Sequence, residues 1–403
     1  MRLLTRLVPA TLITVLTTTA FSLSAQAATK AQIEAFVDRL KSGDLDANVL
    51  LYPNADRRIA FAHTDAWMPT RPLYPSATPY GLDTETDESL PAVTYTVDGE
   101  TFTVADLLSR EPLMGMAVVH GNTVKLEHYA ADHGPESTWI SFSVTKSFTS
   151  TLIGAAIKDG FISSVDDKVE DYLPRLKGSD YGRVTLKNIL QMSSGIAWNE
   201  DYTDPQSDVS VAGTLQGVSL TDYLSKLPRK HKPGTVFNYN TAESNLLGEV
   251  LRAAIGNSAA DYMNAKIWQG FGMEHAANWL QSAPFAGETG GCCISASIRD
   301  YARLGIFVKN GGVDASGESI LPENWMNDAT TPSEGFEGYG YKWWLQDDGA
   351  FMAAGIFGQY IFIDPKNDVV ISVHSNAPAA VDTNYHAHVD AAMAAIAASF
   401  GAR

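Results

Sequence analysis

Cysteine is almost absent from this sequence: the 403 residues contain two, and they are neighbours, Cys292 and Cys293. Adjacent cysteines cannot cross-link distant parts of a chain, so no disulfide framework holds the fold, and an apolar core has to hold it. Because a disulfide between neighbours closes a strained ring, we expect two buried thiols that pack as small hydrophobic side chains. A bonded pair is the alternative.

Long apolar runs and an excess of positive charge are also missing. After residue 27 no stretch stays apolar for about 18 residues, so the sequence predicts no membrane-spanning helix in the mature chain. The formal net charge is −17 at pH 7, and a surface of that sign repels nucleic acid and anionic lipid. This charge suits a secreted enzyme, but it identifies no substrate.

The first 27 residues have the order of a secretory signal peptide. Arg2 and Arg6 precede a short, threonine-rich apolar run that ends at Ala25-Gln26-Ala27. A positive start, an apolar segment and a site of small residues are the three parts of such a peptide. We therefore expect cleavage after residue 27, and a periplasmic or secreted protein without a membrane anchor.

Strand and helix patterns are unevenly distributed along the chain. Strands are predicted at both ends of the main domain, in residues 111–142 and 339–403, whereas residues 143–338 have mostly helical patterns. We therefore expect an α/β (α+β) fold, in which helices flank an antiparallel sheet built from both ends, with a helical region inserted. The predicted organisation is a signal peptide (1–27), an N-terminal wrapping segment (28–110), whose residues 66–82 are rich in proline and aromatic residues, and one domain (111–403).

The stretch "SFSVTKSFTS" (141–150) places Ser143 and Lys146 three residues apart, where a helix over about 143–159 is predicted to begin. Positions i and i+3 share a helix face, so the lysine amine can approach the serine hydroxyl. A serine hydroxyl needs a base within hydrogen-bond distance to act as a nucleophile. Burial and the helix N-terminus both favour a neutral amine, and unpaired N–H groups of the first turn can bind an oxyanion.

A tyrosine precedes another predicted helix in "GTVFNYNTAESNLLGEVL" (234–251). A phenol near a lysine can relay protons, which makes Tyr239 a candidate partner for Ser143 and Lys146. The alternative is a tyrosine that is buried for its ring alone.

Together these segments resemble the serine β-lactamase-like hydrolases that carry an S-x-x-K motif. "SVTKSFTSTLIGAAIKDGFISSVDDKVEDYLP" is similar to their active-site helix region, and "TLKNILQMSSGIAWNEDY" and "SIRDYARLG" are similar to further segments. The similarity runs from about residue 110 to the end of the chain. The family includes class C β-lactamases, DD-peptidases, esterases and 6-aminohexanoate-dimer hydrolases, and the sequence looks most similar to the last of these and to related esterases.

The resemblance implies roles for four residues. Ser143 would be the acylated nucleophile, Lys146 its proton partner, and Tyr239 the first residue of the family's Y-x-N motif. Tyr202, in "WNEDY", matches a tyrosine that 6-aminohexanoate-dimer hydrolases place near the scissile amide.

This chain departs from the tyrosine motif of the family at its third residue. Thr241 stands where the family usually has an asparagine, so the amide that supports the tyrosine is missing. Asn240 and Asn245 are the two candidates for a replacement, and Asn240 is counted among the predicted substrate-binding residues.

The family's K-T-G or H-x-G strand should fall at "AAGIFGQ" (353–359). Gly355 is kept, but Ala353 replaces the cation that β-lactamases and DD-peptidases hold near a substrate carboxylate. The loss argues against strong β-lactam turnover. The backbone N–H of Ile356 remains available as a second oxyanion donor, because that role needs no side chain.

Other reaction classes have weaker signals. No G-x-S-x-G occurs, so an α/β-hydrolase elbow is not supported. "HAHVD" (386–390) imitates a zinc motif, but it lies in a predicted alanine-rich helix without further ligands, so we expect neither a metal nor another cofactor.

These observations predict an exported serine hydrolase that cleaves a small-molecule ester or linear amide through an acyl-enzyme on Ser143. A β-lactamase or DD-peptidase is the alternative within the same family. An inactive homologue that binds cell wall is the alternative from another class, and the intact Ser143, Lys146 and Tyr239 argue against it.

Overall fold

The computed structural model describes residues 28–401 except residues 47 and 214. The expected signal peptide, residues 1–27, therefore lies outside the described residues.

Thirteen strands occur in the described part of the chain, and most of them are short. They are β1 (Thr70–Leu73), β2 (Asp83–Thr84), β3 (Thr94–Val97), β4 (Glu100–Thr103), β5 (Leu113–His120), β6 (Thr123–Tyr129), β7 (Trp139–Ile140), β8 (Ala277–Leu280), β9 (Ile294–Ala296), β10 (Trp344–Leu345), β11 (Phe351–Gly355), β12 (Gln359–Asp364) and β13 (Val369–Ser375).

Fourteen α-helices occur among the same residues. They are α1 (Lys30–Ser42), α2 (Asn54–Ala62), α3 (Thr64–Trp67), α4 (Val104–Leu108), α5 (Val144–Lys158), α6 (Val169–Tyr172), α7 (Leu186–Leu190), α8 (Asp208–Ala212), α9 (Gly217–Leu224), α10 (Thr241–Ile255), α11 (Ala259–Met263), α12 (Ile298–Lys309), α13 (Trp325–Ala329) and α14 (Thr383–Gly401). A π-helical segment (Asn264–Gly272) continues α11, and three-residue 3₁₀ turns occupy Val49–Leu51, Leu90–Ala92 and Pro174–Leu176.

The central sheet is built from both ends of the main domain, in the order β10-β11-β12-β13-β5-β6-β2. All its pairs are antiparallel except that of β2 with β6. The long-range join is between β13 and β5, where Val370 lies opposite Val119. The predicted fold class is thus confirmed, although the parallel edge strand β2 comes from a segment for which only wrapping was expected.

A second sheet was not predicted. It has the order β1-β8-β9-β7, so three of its strands lie in or beside regions for which helix or loop was expected. Each strand has two to four residues. Strands this short are too brief to show a period of two, so the sequence pattern could not reveal them.

Helices cover both faces of the central sheet. One apolar cluster joins α5, α10 and α12 to the face that carries Val119 and Val370. The other joins α14 and the N-terminal helices to the face that carries Val118 and Ile371. No helix within the described residues has the length and apolar character needed to span a bilayer.

Helix α5 lies at the centre of the molecule. Every residue from Val144 to Ala156 is buried, including its serines and threonines. The helix packs between α10 on one side and β11 of the sheet on the other. Its N-terminus therefore has a fixed position relative to the end of β11.

Candidate active site

Ser143 lies in the turn that leads from β7 into α5. It is the N-cap residue of the helix, yet its hydroxyl forms no capping hydrogen bond and is left for other partners. The preceding residue, Phe142, has a φ of 44°, a left-handed conformation that places the next side chain at a sharp corner. The Ile294 N–H donates to the hydroxyls of Ser141 (2.9 Å) and Thr145 (2.8 Å), which holds the corner from behind.

The Lys146 side chain points at this serine, as the spacing predicted. Its Nζ donates to Ser143 Oγ at 2.8 Å and to the Gly291 carbonyl oxygen at 3.0 Å. Lys146 is 2% exposed, and burial lowers its pKa to about 8, although the negative charge of Glu200 partly opposes that shift. A neutral amine at this position can accept the proton of the serine hydroxyl.

Tyr239 joins the same group, two residues before α10. Lys146 Nζ lies 5.2 Å from the centre of its ring, and the ring stacks on Trp344 at 5.8 Å. Burial raises the pKa of the phenol, while a hydrogen bond with Ser143 lowers it. Because the net shift is upward, Tyr239 remains a neutral phenol near pH 7 and can donate a proton.

The end of β11 lies close to residues 141–143, the turn that carries Ser143 and is called the nucleophile turn. A Cβ atom on Gly355 would lie 2.4 Å from the Ser141 carbonyl oxygen and 3.2 Å from the Phe142 Cβ. In the described part of the chain, the backbone N–H groups of Ser143 and Ile356 have no hydrogen-bond acceptor. Gly355 and Ile356 are therefore placed beside Ser143. The N–H groups of Ser143 and Ile356 are both free to bind a ligand.

The position of the missing cation is apolar. Ala353 is fully buried, pairs with Ile361 of β12 and belongs to the apolar cluster that includes α5. At position 353, β11 thus has a methyl group where the resemblance to the family predicts a charged side chain.

Tyr202 is half-buried, and its hydroxyl donates to Glu200 Oε1 at 2.8 Å. Burial raises the pKa of Tyr202 most, and the charges of Glu200 and Tyr239 add to the rise. Glu200 was not predicted from the sequence. The signal that could have drawn attention to it is a carboxylate in the loop "WNEDY", together with the missing amide at Thr241.

The two candidate asparagines lie elsewhere than expected. Asn240 is the N-cap of α10: its Oδ1 accepts the Glu243 N–H at 3.0 Å and its Nδ2 donates to the Tyr181 hydroxyl at 3.1 Å. Asn240 is 1% exposed, and both its polar atoms are bonded within the protein, so its predicted contact with substrate does not fit the structure. Asn245 instead accepts from the Gly291 N–H at 2.8 Å, and so orients the residue whose carbonyl binds Lys146.

A second buried lysine, Lys342, lies behind the site, and it was not predicted from the sequence. Lys342 is 1% exposed, and its Nζ contacts the Met192 sulfur at 2.9 Å. Burial lowers the pKa of Lys342 to about 7, with Glu243 opposing and Lys146 adding to the shift. Burial likewise raises the pKa of Glu243 to about 7. No motif spacing relates these residues to Lys146, so the sequence pattern gave no sign of them.

The two cysteines are joined, contrary to the expectation of free thiols. The structure has a disulfide between Cys292 and Cys293. Cys293 is buried, and the pair directly follows Gly291, the acceptor of the Lys146 amine.

The histidines of "HAHVD" have partners within the protein. Nδ1 of His386 lies 2.6 Å from the Tyr360 hydroxyl, and His388 is bonded to Tyr95 and Arg110. Across residues 28–401, apart from the two undescribed positions, no group of three or more His, Cys, Asp or Glu side chains could hold a metal ion.

A family model agrees with this geometry. The model described as "Beta-lactamase" matches residues 103–395, which include Ser143, Lys146, Tyr239 and Gly355.

Individual relatives have low sequence identity but extensive coverage. The 6-aminohexanoate-dimer hydrolase of Paenarthrobacter ureafaciens is 28% identical over 294 residues, which are 67% of this chain and 74% of that protein. Among solved structures, a proposed 6-aminohexanoate-dimer hydrolase from Bacillus anthracis has a TM-score of 0.77 and 22% identity, and the match covers 88% of this chain and 96% of that one. A family VIII carboxylesterase has a TM-score of 0.54 and 15% identity, with coverage of 78% and 99%.

Proposed function

The chain belongs to the β-lactamase family of serine hydrolases, and on this premise we propose that it cleaves an ester or a linear amide through an acyl-enzyme on Ser143. The observation that carries the proposal is the 2.8 Å contact between Lys146 Nζ and Ser143 Oγ. It gives the hydroxyl a buried base at the distance that proton transfer needs.

In acylation, the Ser143 oxygen attacks the substrate carbonyl carbon while its proton passes to the neutral Lys146 amine. The carbonyl oxygen becomes an oxyanion, which the N–H groups of Ser143 and Ile356 can bind. Gly355 supports this geometry, because it lets the end of β11 lie directly against the turn that carries Ser143.

Collapse of the tetrahedral intermediate breaks the bond to the leaving group, which needs a proton. Tyr239 is suited to donate it, because its phenol is neutral near pH 7 and hydrogen-bonds with Ser143. The proton taken by Lys146 then restores the phenol. Water attacks the acyl-enzyme in the second half of the reaction, releasing the acid and regenerating the Ser143 hydroxyl.

The site favours a substrate that needs no cation for a carboxylate close to the scissile bond. Ala353 leaves the β11 strand without a cation for a substrate carboxylate, and Trp344 presents an aromatic ring against Tyr239. The name of the Paenarthrobacter relative supports amide cleavage, and that of the carboxylesterase structure supports ester cleavage. A β-lactamase or DD-peptidase activity is disfavoured by the same alanine.

A substrate screen tests the proposal. It compares aryl esters, linear 6-aminohexanoate oligomers, nitrocefin and D-amino peptides, with the Ser143→Ala variant as the control for background hydrolysis. We expect Ser143-dependent turnover of an ester or a linear amide. Turnover that is confined to nitrocefin or D-amino peptides would contradict the proposed substrate class.

Export is a further part of the proposal, and the residues of the signal pattern support it. Expression of the full chain in a bacterial host, followed by fractionation and mass measurement, tests it. The expected product lies outside the cytoplasm and begins at Ala28, whereas a full-length cytoplasmic protein would count against export.

A further inference from the structure

The carboxylate of Glu200 collects four hydrogen-bond donors beside the proposed active site. Oε1 accepts from the Tyr202 hydroxyl at 2.8 Å and from the Thr241 hydroxyl. Oε2 accepts from the Thr241 backbone N–H at 3.0 Å and from the Trp198 indole N–H. A carboxylate is the side-chain group that accepts at both ends and donates at neither, so an amide of the same size could not satisfy these four donors.

This arrangement joins two segments that are distant in sequence. Glu200 lies in the loop between α7 and α8, whereas Thr241 is the first residue of α10. Negative charge is favourable at that position, because the first N–H groups of a helix have no partner within the helix. Tyr239 lies two residues before Thr241, so the bond to Glu200 fixes the chain that carries the phenol.

We propose that Glu200 is a positioning residue on which the proposed hydrolysis depends: it holds the Tyr202 hydroxyl in one orientation and places a fixed negative charge beside Tyr239 and Lys146. The inference rests on the proposed function and extends it. It also gives Thr241 a role, because the hydroxyl and N–H of this residue bind the carboxylate that anchors the chain next to Tyr239. Asn240 and Asn245 were the two candidates for such support.

The orientation of Tyr202 decides what its hydroxyl can do. Its proton is directed to Glu200, so its oxygen keeps the capacity to accept a hydrogen bond. The oxygen can therefore accept the N–H of a secondary amide and hold the nitrogen in place. An ester has no such N–H, so loss of this orientation costs an amide substrate more than an ester.

Glu200 is bonded to Thr241, two residues after Tyr239, and Lys146 Nζ lies 5.2 Å from the centre of the Tyr239 ring. This geometry places the charge of Glu200 near Lys146. The ionisable groups around the lysine are the phenol of Tyr239, the carboxylate of Glu200 and, behind the site, the amine of Lys342, which in turn faces Glu243. The negative charge of Glu200 raises the pKa of Lys146. Removing the charge should therefore lower the pKa of Lys146 and make its amine neutral at a lower pH.

The variant Glu200→Gln tests the charge directly, and its effect can be read without any substrate. In protein labelled with ¹³C-lysine, the Cε resonance of Lys146, assigned by comparison with Lys146→Arg, follows the ionisation of the amine. We expect a downward pKa shift of about 0.5 pH unit or more in Glu200→Gln. Glu88→Gln, the same change at an exposed residue near the far edge of the sheet, should leave the pKa unchanged. An unchanged Lys146 in both variants would overturn the proposed charge effect.

The positioning of Tyr202 is tested with an anilide and an aryl ester of the same acyl group. Glu200→Gln should lower kcat/KM for the anilide at least about 10-fold more than for the ester. In a Tyr202→Phe background the same change should add no further discrimination, because its effect passes through the tyrosine hydroxyl. Equal losses on both substrates, or a full additional loss in the double variant, would overturn the positioning role.

Two further outcomes separate this inference from the proposed function. Glu200→Asp keeps the charge and should retain the wild-type pKa of Lys146, which keeps the test available if the glutamine variant fails to fold. If wild-type Ser143 reacts with neither substrate nor a fluorophosphonate, the proposed function fails. The NMR titration still decides the charge effect of Glu200 in that case.

Discussion

The carbonyl oxygen of Ser141 lies so close to Gly355 that a Cβ atom on residue 355 would be 2.4 Å from it. The contact is between backbone segments, so no side-chain rotation can relieve it. The end of β11 and the nucleophile turn are therefore fitted to each other at a position where a methyl group cannot be accepted.

The first prediction follows from this contact. Gly355→Ala must move either β11 or the turn, so we expect a loss of about 1–3 kcal/mol in the free energy of unfolding together with lower kcat/KM for an ester. Urea unfolding and ester kinetics measure the two effects. Gly81→Ala is the matched control, because a Cβ there meets no atom within 4 Å. Wild-type stability and activity in Gly355→Ala would show that the two segments are not tightly fitted.

The second prediction concerns the nucleophile. Ser143→Ala should abolish both turnover and labelling by a fluorophosphonate, since the half-buried hydroxyl is the group that contacts Lys146. Circular dichroism should show an unchanged fold, because the serine hydroxyl does not cap α5. Peptide mapping identifies the labelled residue, and a label on Ser193 or Ser194 would refute the assignment.

The third prediction is the pH dependence of the reaction. Burial lowers the pKa of Lys146 to about 8, so the amine is mostly protonated below that pH and mostly neutral above it. Activity that needs the neutral amine should therefore rise with pH and level off above about pH 8. Measurement of kcat/KM for an aryl ester between about pH 6 and pH 9 tests this expectation.

Two variants check the assignment of that profile to Lys146. Lys146→Ala should cost on the order of a thousandfold in kcat/KM, because the base is lost. Lys146→Arg keeps a charge that cannot be removed in this pH range, and it should show low activity without the rise. A wild-type profile that is flat, or a mild loss in Lys146→Ala, would leave Tyr239 as the base.

The fourth prediction concerns the substrate. Because Ala353 offers no cation to a carboxylate, nitrocefin turnover should be slow, and short-chain aryl esters should be better substrates. Comparison of kcat/KM for the two compounds in the same preparation tests this, with Ser143→Ala as the background. Efficient nitrocefin hydrolysis would show that another group replaces the missing cation.

The fifth prediction concerns Tyr202. Tyr202→Phe removes the hydroxyl that Glu200 orients, so amide turnover should fall by roughly 10–1000-fold, while aryl-ester turnover stays within a few-fold. Parallel kinetics on a linear amide and an aryl ester measure the difference. Equal losses would make Tyr202 a residue that only shapes the cleft wall.

The Ser143–Lys146 pair could be found from the sequence because its geometry is local. Three residues along a helix bring two side chains to one face in almost any fold. Tyr239 was found less directly, from its place before a helix and from the resemblance. The distance between α5 and α10 is set by tertiary packing, which no spacing rule encodes.

Glu200 and Lys342 could not be found in that way. Glu200 meets Thr241 across 41 positions of chain, and its partners include a backbone N–H that every residue possesses. Lys342 is buried behind α5, although lysine is a residue type normally found at surfaces. In both cases the functional interest comes from where tertiary packing places an ordinary charged residue.

The pairing of β5 with β13 has a consequence for the order in which the protein can form. The middle of the sheet forms only when residue 119 of β5 pairs with residue 370 of β13. Four of the seven strands of this sheet follow residue 343. The helices around α5 can form while the chain is still being synthesised, but the central sheet against which they pack is then incomplete. Contacts this distant in sequence close slowly, so the nucleophile turn acquires its partner strand only after nearly the whole polypeptide has been made.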